Sequence, residues 1–204
     1  MKDTNRYTHI LKNDIEKYGF NIIDSGDILY FSDYIYDEVY PLNTHIQSYL
    51  ECDLIKLKNN GLYGIFDAWK ITNVLQLEYK NIEVFHFYGN FCYLCQLQND
   101  KYILKLKNEQ NNTQYDKIMY IGEFKNKYLF MGQIDNNISV FELYSNNIII
   151  NENKYLFEFY GTTNFIVLKL VKENISDPDL YDIYSTSGVL LYEGMSDYYF
   201  LNIS

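Results

Sequence analysis

The sequence predicts an all-β protein of tandem antiparallel units, each about 40 residues long, in a propeller-like or open β-repeat array with one N-terminal helix. Three observations carry this expectation. The 204 residues include 23 Tyr and 13 Phe but only 2 Pro, a composition suited to pleated, half-buried strands. Beyond Gly19, short apolar runs are cut by clusters of Asn, Asp and Gly, the residues that turn a chain between strands. Similar segments also return at nearly constant steps along the chain.

Residues 4–18, "TNRYTHILKNDIEKY", carry apolar side chains at three- and four-residue steps, at Tyr7, Ile10, Leu11, Ile15 and Tyr18. That spacing predicts a helix stopped at Gly19, placed to cover an edge or an end of the β array. The runs that follow include "ILYFSDYIY" (28–36), "LYGIF" (62–66), "IEVFHFY" (82–88), "FCYLCQL" (91–97), "KYLFMGQI" (127–134), "FIVLKL" (165–170) and "GVLLY" (188–192). Several alternate, as in Ile82-Glu83-Val84-Phe85-His86-Phe87, which sends side chains to opposite faces of a strand. Breakers such as Gln98-Asn99-Asp100 and Asp135-Asn136-Asn137 predict hairpins and meanders. No second helical pattern separates the strands, which argues against a parallel α/β sheet. The expected organisation is one domain over residues 1–204, with the helix in 1–19 and four to five β repeats in 20–204. Ile65, Val84, Phe85, Leu94, Leu104, Phe141 and Leu168 are the expected core.

The repeat is read by superposing "GLYGIFDAWK" (61–70), "DKYILKLKNE" (100–109), "NISVFELYSN" (137–146) and "DLYDIYSTSG" (179–188). Tyr63, Tyr102, Ser139 and Tyr181 then coincide at steps of 39, 37 and 42 residues. A second register, "YDEV" (36–39), "YKNI" (79–82) and "YDKI" (115–118), gives steps of 43 and 36. A unit of this size cannot bury its apolar face alone, so its neighbours must cover it. "LKNNGLYGIFD" (57–67), "YKNI" and "YSTSGVLLYEG" (184–194) resemble the WG, or KWG, repeats of bacterial proteins. The match is best over 57–82, with Tyr63-Gly64 standing where the family has Trp-Gly. The resemblance implies an interaction or envelope-associated module, and the family offers no catalytic residues to transfer.

Charge narrows the partners. The formal net charge is −10 and the pI about 4.7. The 17 Lys and Arg are dispersed, so a phosphate backbone would be repelled and direct nucleic-acid binding is not expected. No run of ~18 apolar residues and no signal-like start occurs. The expectation is therefore a cytoplasmic protein with no membrane partner, and three Cys without framework spacing agree with a reducing compartment.

The residues that carry chemistry offer little. Cys92 and Cys95 form a Cys-x-x-Cys, but they lie in a strand-like run, where residues three apart face opposite sides. Cys52 is the remaining thiol, and a zinc knuckle would need a second pair. His9, His45 and His86 have no nucleophile or metal motif around them. Asp177, Asp179 and Asp182 cluster without the Gly and distal Glu of a calcium loop and read as a turn. Asp24, Asp27, Asp33 and Asp37 read as solvated strand and turn positions. No cofactor, no metal and no enzymatic activity are expected.

What remains is surface. Tyr34, Tyr36 and Tyr40 lie among Asp33 and Asp37, and Tyr198 and Tyr199 follow Asp197. Tyr is enriched where proteins bind one another, and an acidic face attracts a basic partner over long range. The expected function is therefore a non-catalytic protein-binding module. It would act as an inhibitor, an immunity or anti-defence protein, or a scaffold, and its partner would be another protein, including a basic or nucleic-acid-binding one. The alternatives are a glycan-binding repeat protein with Tyr63, Tyr102 and Tyr181 as platforms, and an enzyme using carboxylates from a central channel.

Overall fold

The computed structural model describes residues 6–42, 54–87, 90–106, 112–145, 147–161 and 164–196. Every regular element among them is a β-strand. The chain divides into two compact units, Met1–Asn112 and Thr113–Ser204. The first holds three antiparallel sheets: Tyr7–Lys12 (β1), Tyr18–Asp24 (β2) and Asp27–Phe31 (β3); Glu38–Leu42 (β4), Leu54–Asn59 (β5), Leu62–Asp67 (β6) and Thr72–Tyr79 (β7); Asn81–Phe87 (β8), Asn90–Gln96 (β9) and Tyr102–Leu106 (β10). The second holds two: Lys117–Phe124 (β11), Lys127–Ile134 (β12), Asn137–Glu142 (β13) and Ile148–Glu152 (β14); Tyr155–Phe159 (β15), Phe165–Leu170 (β16), Tyr181–Ser185 (β17) and Leu190–Met195 (β18). In all five sheets each strand pairs with its neighbour in sequence. No sheet closes into a barrel, and the expected propeller-like ring closure has no counterpart within either unit.

The N-terminal helix is overturned. Tyr7–Lys12 is a strand paired residue for residue with Tyr18–Ile23. The reason lies at Asn13, whose Oδ1 accepts the N–H groups of Ile15 and Lys17. A side chain that captures nearby backbone donors competes with the helix ladder. Glu16 adopts φ 63, which a helix does not permit. The apolar spacing of 4–18 fits a hairpin as well as a helix, and pairing of β1 with β2 decides between them.

The repeat is visible in the bonding. The first strands of the last four sheets begin at Glu38, Asn81, Lys117 and Tyr155, 43, 36 and 38 residues apart. Tyr63, Tyr102, Ser139 and Tyr181 all fall on the third strand of their sheets. The residue just before the first strand is charged in every sheet and ties down the second or third strand. Asp37 donates its N–H to the Lys58 carbonyl (2.8 Å) and accepts the Asn60 N–H on Oδ2 (2.6 Å). Asp116 does the same with the Gln133 carbonyl (2.8 Å) and the Asp135 N–H (2.7 Å). Lys80 donates its N–H to the Gln96 carbonyl (2.8 Å), and its ammonium reaches Asp100 (2.6 Å). Arg6 binds Asp24 (3.0 Å) and Lys154 binds Asp182 (2.7 Å). The turns so held need left-handed residues, and Asn60 (φ 50), Gly61 (φ 77), Asp100 (φ 65) and Asp135 (φ 53) supply them. At Gly64 a Cβ would lie 2.9 Å from the Leu75 carbonyl oxygen, so the close approach of β6 to β7 requires glycine there.

Within each unit the core lies between successive sheets. Phe20 and Ile22 of the first sheet pack with Ile55, Leu57 and Phe66 of the second. Leu54 and Ile65, on the other face of that second sheet, pack with Ile82, Tyr93 and Ile103 of the third. In the second unit Leu129, Met131 and Val140 pack with Ile166, Leu168 and Tyr184. Of the expected core residues, Ile65, Leu94, Leu104, Phe141 and Leu168 are buried. Val84 and Phe85 are only half-buried, Phe85 being stacked on Phe87 at 5.9 Å.

Phe141 is buried against Tyr115 (5.5 Å) and Phe130 (6.2 Å). Phe141→Ala is expected to cost about 3–5 kcal/mol in equilibrium denaturation of the second unit's signal. A loss within about 0.5 kcal/mol, the range of surface sites, would contradict this packing.

Candidate functional site

The first sheet presents its surface through β3 and the segment that follows. Gly19 lets the chain fold closely back, since a Cβ there would meet the Ser32 and Asp33 carbonyl oxygens at 3.2 and 3.3 Å. Ser32 bonds Phe20 twice, donating its N–H to the carbonyl (2.9 Å) and accepting the N–H on Oγ (2.7 Å). Tyr18 and Tyr36 then exchange both backbone bonds. Residues 33–35 are left as an outward excursion between these two anchors. β3 is the outer strand of its sheet, and among the described residues none pairs with its far side. Much of it is bare: Ile28 is 61% exposed, Leu29 45% and Phe31 54%, while Tyr30 turns inward onto Phe20 (5.7 Å) and Phe66 (5.1 Å). Ile35 and Tyr40 are exposed as well.

The sequence-selected residues divide into two groups. Asp33 and Tyr40 are exposed, and Tyr34 is half-buried edge-on to Phe31 at 6.1 Å. These three are available to a partner, with the Tyr40 hydroxyl donating to Glu38. Tyr36 instead turns inward onto Phe20 at 6.0 Å, and burial raises its pKa. Asp37 is held by Lys17 and the Asn60 N–H, and these bonds, led by Lys17, lower its pKa. Both therefore serve the fold. Asp197, Tyr198 and Tyr199 lie outside the described residues. Asp24, Asp27, Asp33 and Asp37 do not converge: Asp24 pairs with Arg6 and Asp37 with Lys17, whereas Asp27 and Asp33 are exposed.

The sequence reading missed Ile28, Leu29 and Phe31. Their signal was an unbroken apolar run where a half-buried strand alternates, and such a run ordinarily marks a strand covered on both faces. On β3, the outer strand of its sheet, only Tyr30 of the run is packed inward, and the rest is left exposed.

Cys92 and Cys95 lie on β9, fully buried. Burial pushes both thiols up to about 12, so at neutral pH neither carries the thiolate that reacts or binds metal. Cys52 and His45 lie outside the described residues. His9 is exposed on β1, and His86 packs against Phe91 at 5.0 Å with Nε2 buried and unbonded. Among the described residues no three His, Cys, Asp or Glu side chains converge as metal ligands do. With thiol reagent at pH 8, the folded chain is expected to react at no more than one of its three thiols and, once denatured, at all three. Fast labelling of Cys92 or Cys95 in the native state would contradict the burial assigned to β9.

A second group was misread as a turn. Asp177 does cap one, accepting the Asn174 N–H at 2.9 Å, but Asp182 is inside β17 and fully buried. Its carboxylate meets the Lys154 ammonium (2.7 Å), the Tyr155 hydroxyl (2.6 Å) and the Gly194 N–H (2.9 Å). The Tyr155 hydroxyl also bonds that of Tyr184. Burial pushes the Asp182 carboxyl up, but Lys154 and the other donors outweigh it and leave the pKa lowered. Burial and the carboxylate together raise the Tyr155 pKa. Every member has a partner, so the network stiffens β15 and β17.

A carboxyl depressed in the folded state contributes stability above its unfolded value and loses it as pH falls through the folded one. The second unit should therefore hold its stability down to about the unfolded value near 3.8 and lose it below. Asp182→Asn is expected to cost about 1–3 kcal/mol at pH 7 and to flatten that acid limb. An unchanged acid limb in pH-dependent denaturation would exclude the carboxylate as its origin.

No protein-family model matches the chain, and no curated protein sequence matches it. Among the described residues no helix is long and apolar enough to cross a membrane.

Proposed function

We propose that the protein is a non-catalytic protein-binding module, of the inhibitor, immunity or scaffold kind, that engages another protein through β3 and the 33–40 segment. The observation that carries this reading is the apolar edge: Ile28, Leu29 and Phe31 exposed on an outer strand that is anchored to the core only through Tyr30. Proteins ordinarily blunt such an edge with Lys, Pro or a covering element, because it templates pairing with another chain. Here only Asp27 and Asp33 flank it. Large aromatic side chains with a charged rim are the composition of a binding hot spot. The acidic rim and the net charge of −10 favour a basic partner, including one whose own task is nucleic-acid binding. The tandem repeat supports the same reading, as does the likeness of 57–82 to WG repeats, since stacked units build extended binding surfaces.

Crosslinked capture from the native host is expected to recover one protein with the wild type and to lose it with Ile28→Lys plus Phe31→Asp. Phe31→Ala alone is expected to weaken the purified complex by more than about 1 kcal/mol, and added salt to slow association more than it speeds dissociation. Equal capture by wild type and the double variant would remove this surface from the function. Tyr36→Ala serves as the contrast, because its ring packs on Phe20 and its replacement should lower stability without a binding loss of its own.

A further inference from the structure

A crevice of about 390 Å³ opens in the second unit between the β11–β12 turn and the adjoining ends of β16 and β17. Its wall carries Lys125, Lys127, Phe165, Ser185, Thr186 and Ser187, and no carboxylate lines it. Lys125 and Asn126 both occupy the left-handed region (φ 49 and 64), which makes a tight two-residue turn and sets Lys125 at its tip. Among the described residues no carboxylate pairs with Lys125. Lys127 shares Glu142 at 2.9 Å. The crevice thus keeps an uncompensated positive charge on a chain whose net charge is −10.

The lining from residues 185 to 187 is a run of hydroxyls. Gly188 (φ 85) donates its N–H to the Ser185 carbonyl at 3.0 Å, closing a turn over 185–188. The Ser185 hydroxyl accepts the Val189 N–H at 3.1 Å and bonds the Ser187 hydroxyl at 2.9 Å. A hydroxyl proton rotates to suit its acceptor; one of these two is spent on the bond between them, which leaves the other free to turn toward an anion. The Arg fork matches carboxylate and phosphate alike, whereas Lys binds phosphate as a point charge. The crevice wall has lysines and hydroxyls and no Arg. Its volume lies at the small end of the range for ligand sites, and Phe165 offers an apolar face beside the polar ones.

We propose that this crevice binds a small phosphomonoester, its phosphate on Lys125, Lys127 and the free donor of the Ser185–Ser187 hydroxyl pair, and its organic body against Phe165. The site is separate from the β3 surface and stands or falls independently of it.

Titration of the ¹⁵N-labelled protein with inorganic phosphate, sulfate and glucose 6-phosphate, at constant ionic strength, tests the assignment. Saturable shifts are expected at the amides of 125–127 and 185–189, with the sugar phosphate binding more tightly than either inorganic anion. Lys125→Asn removes the charge while keeping a residue that tolerates the left-handed turn, and should weaken binding by about tenfold or more. Ser187→Ala should weaken it to a smaller degree, with an unchanged spectrum elsewhere. Shifts that stay linear, an affinity unaltered in Lys125→Asn, or sulfate binding as tightly as the sugar phosphate would each overturn the proposal.

Discussion

Each sheet in this chain is too small to shelter its own apolar faces, and the rest of the structure follows from that constraint. A sheet of three or four short strands gains stability only when another element covers it. The second sheet shows the solution most clearly. Ile55, Leu57 and Phe66 on one face meet Phe20 and Ile22 of the sheet before it, while Leu54 and Ile65 on the other meet Ile82, Tyr93 and Ile103 of the sheet after it. Even Lys56 conforms, since its stem crosses toward the third sheet and its ammonium binds Asn81 and the Ile82 carbonyl. Within a unit, a change in one sheet is therefore felt by the next, as in other stacked repeats.

Stacking alone would leave the hairpins free to slip, because a one-residue shift in register carries every apolar side chain to the wrong face. The charged residue ahead of each first strand opposes that slip. Asp37 and Asp116 each fix a second-strand carbonyl and a turn N–H at once, so one residue sets the register with its backbone N–H and the turn with its carboxylate. Lys80 reaches its turn with an ammonium instead. The last sheet departs furthest: Lys154 reaches into the third strand, and the charge it meets, Asp182, is fully buried. A buried charge is tolerable only with several donors around it, which accounts for Tyr155 and the Gly194 N–H at the same carboxylate.

Surface chemistry is divided along similar lines. Residues drawn into register control or packing, such as Asp37 and Tyr36, are only partly open to contact with partners. Residues on an outer strand or a turn tip are released to it. Ile28, Leu29 and Phe31 on β3 and Lys125 on the β11–β12 turn belong to the second kind. One offers an apolar edge with an acidic rim and the other a basic, hydroxyl-lined crevice, and this difference in chemistry is why the two are assigned different ligands.

The sequence by itself determined the β class, the strand runs after Gly19, the turns at Asn60-Gly61 and Asp135, and the period of the repeat. These rest on local chemistry: alternation, left-handed turn residues and recurring segments survive in the chain whatever its neighbours do. Tertiary structure decided the rest. It made Tyr7–Lys12 a strand, because apolar steps of three and four fit two structures and only pairing with β2 chooses between them. It exposed Phe31 and packed Tyr36 on Phe20, five residues apart in one aromatic stretch, because position within the sheet and not residue type fixes which ring is covered. It also carried Asp182 away from the turn carboxylates beside it and into the interior, where donors from β15 and the chain around Gly194 hold its charge. Such placements depend on strands far apart in sequence, and single-chain periodicity holds no record of them.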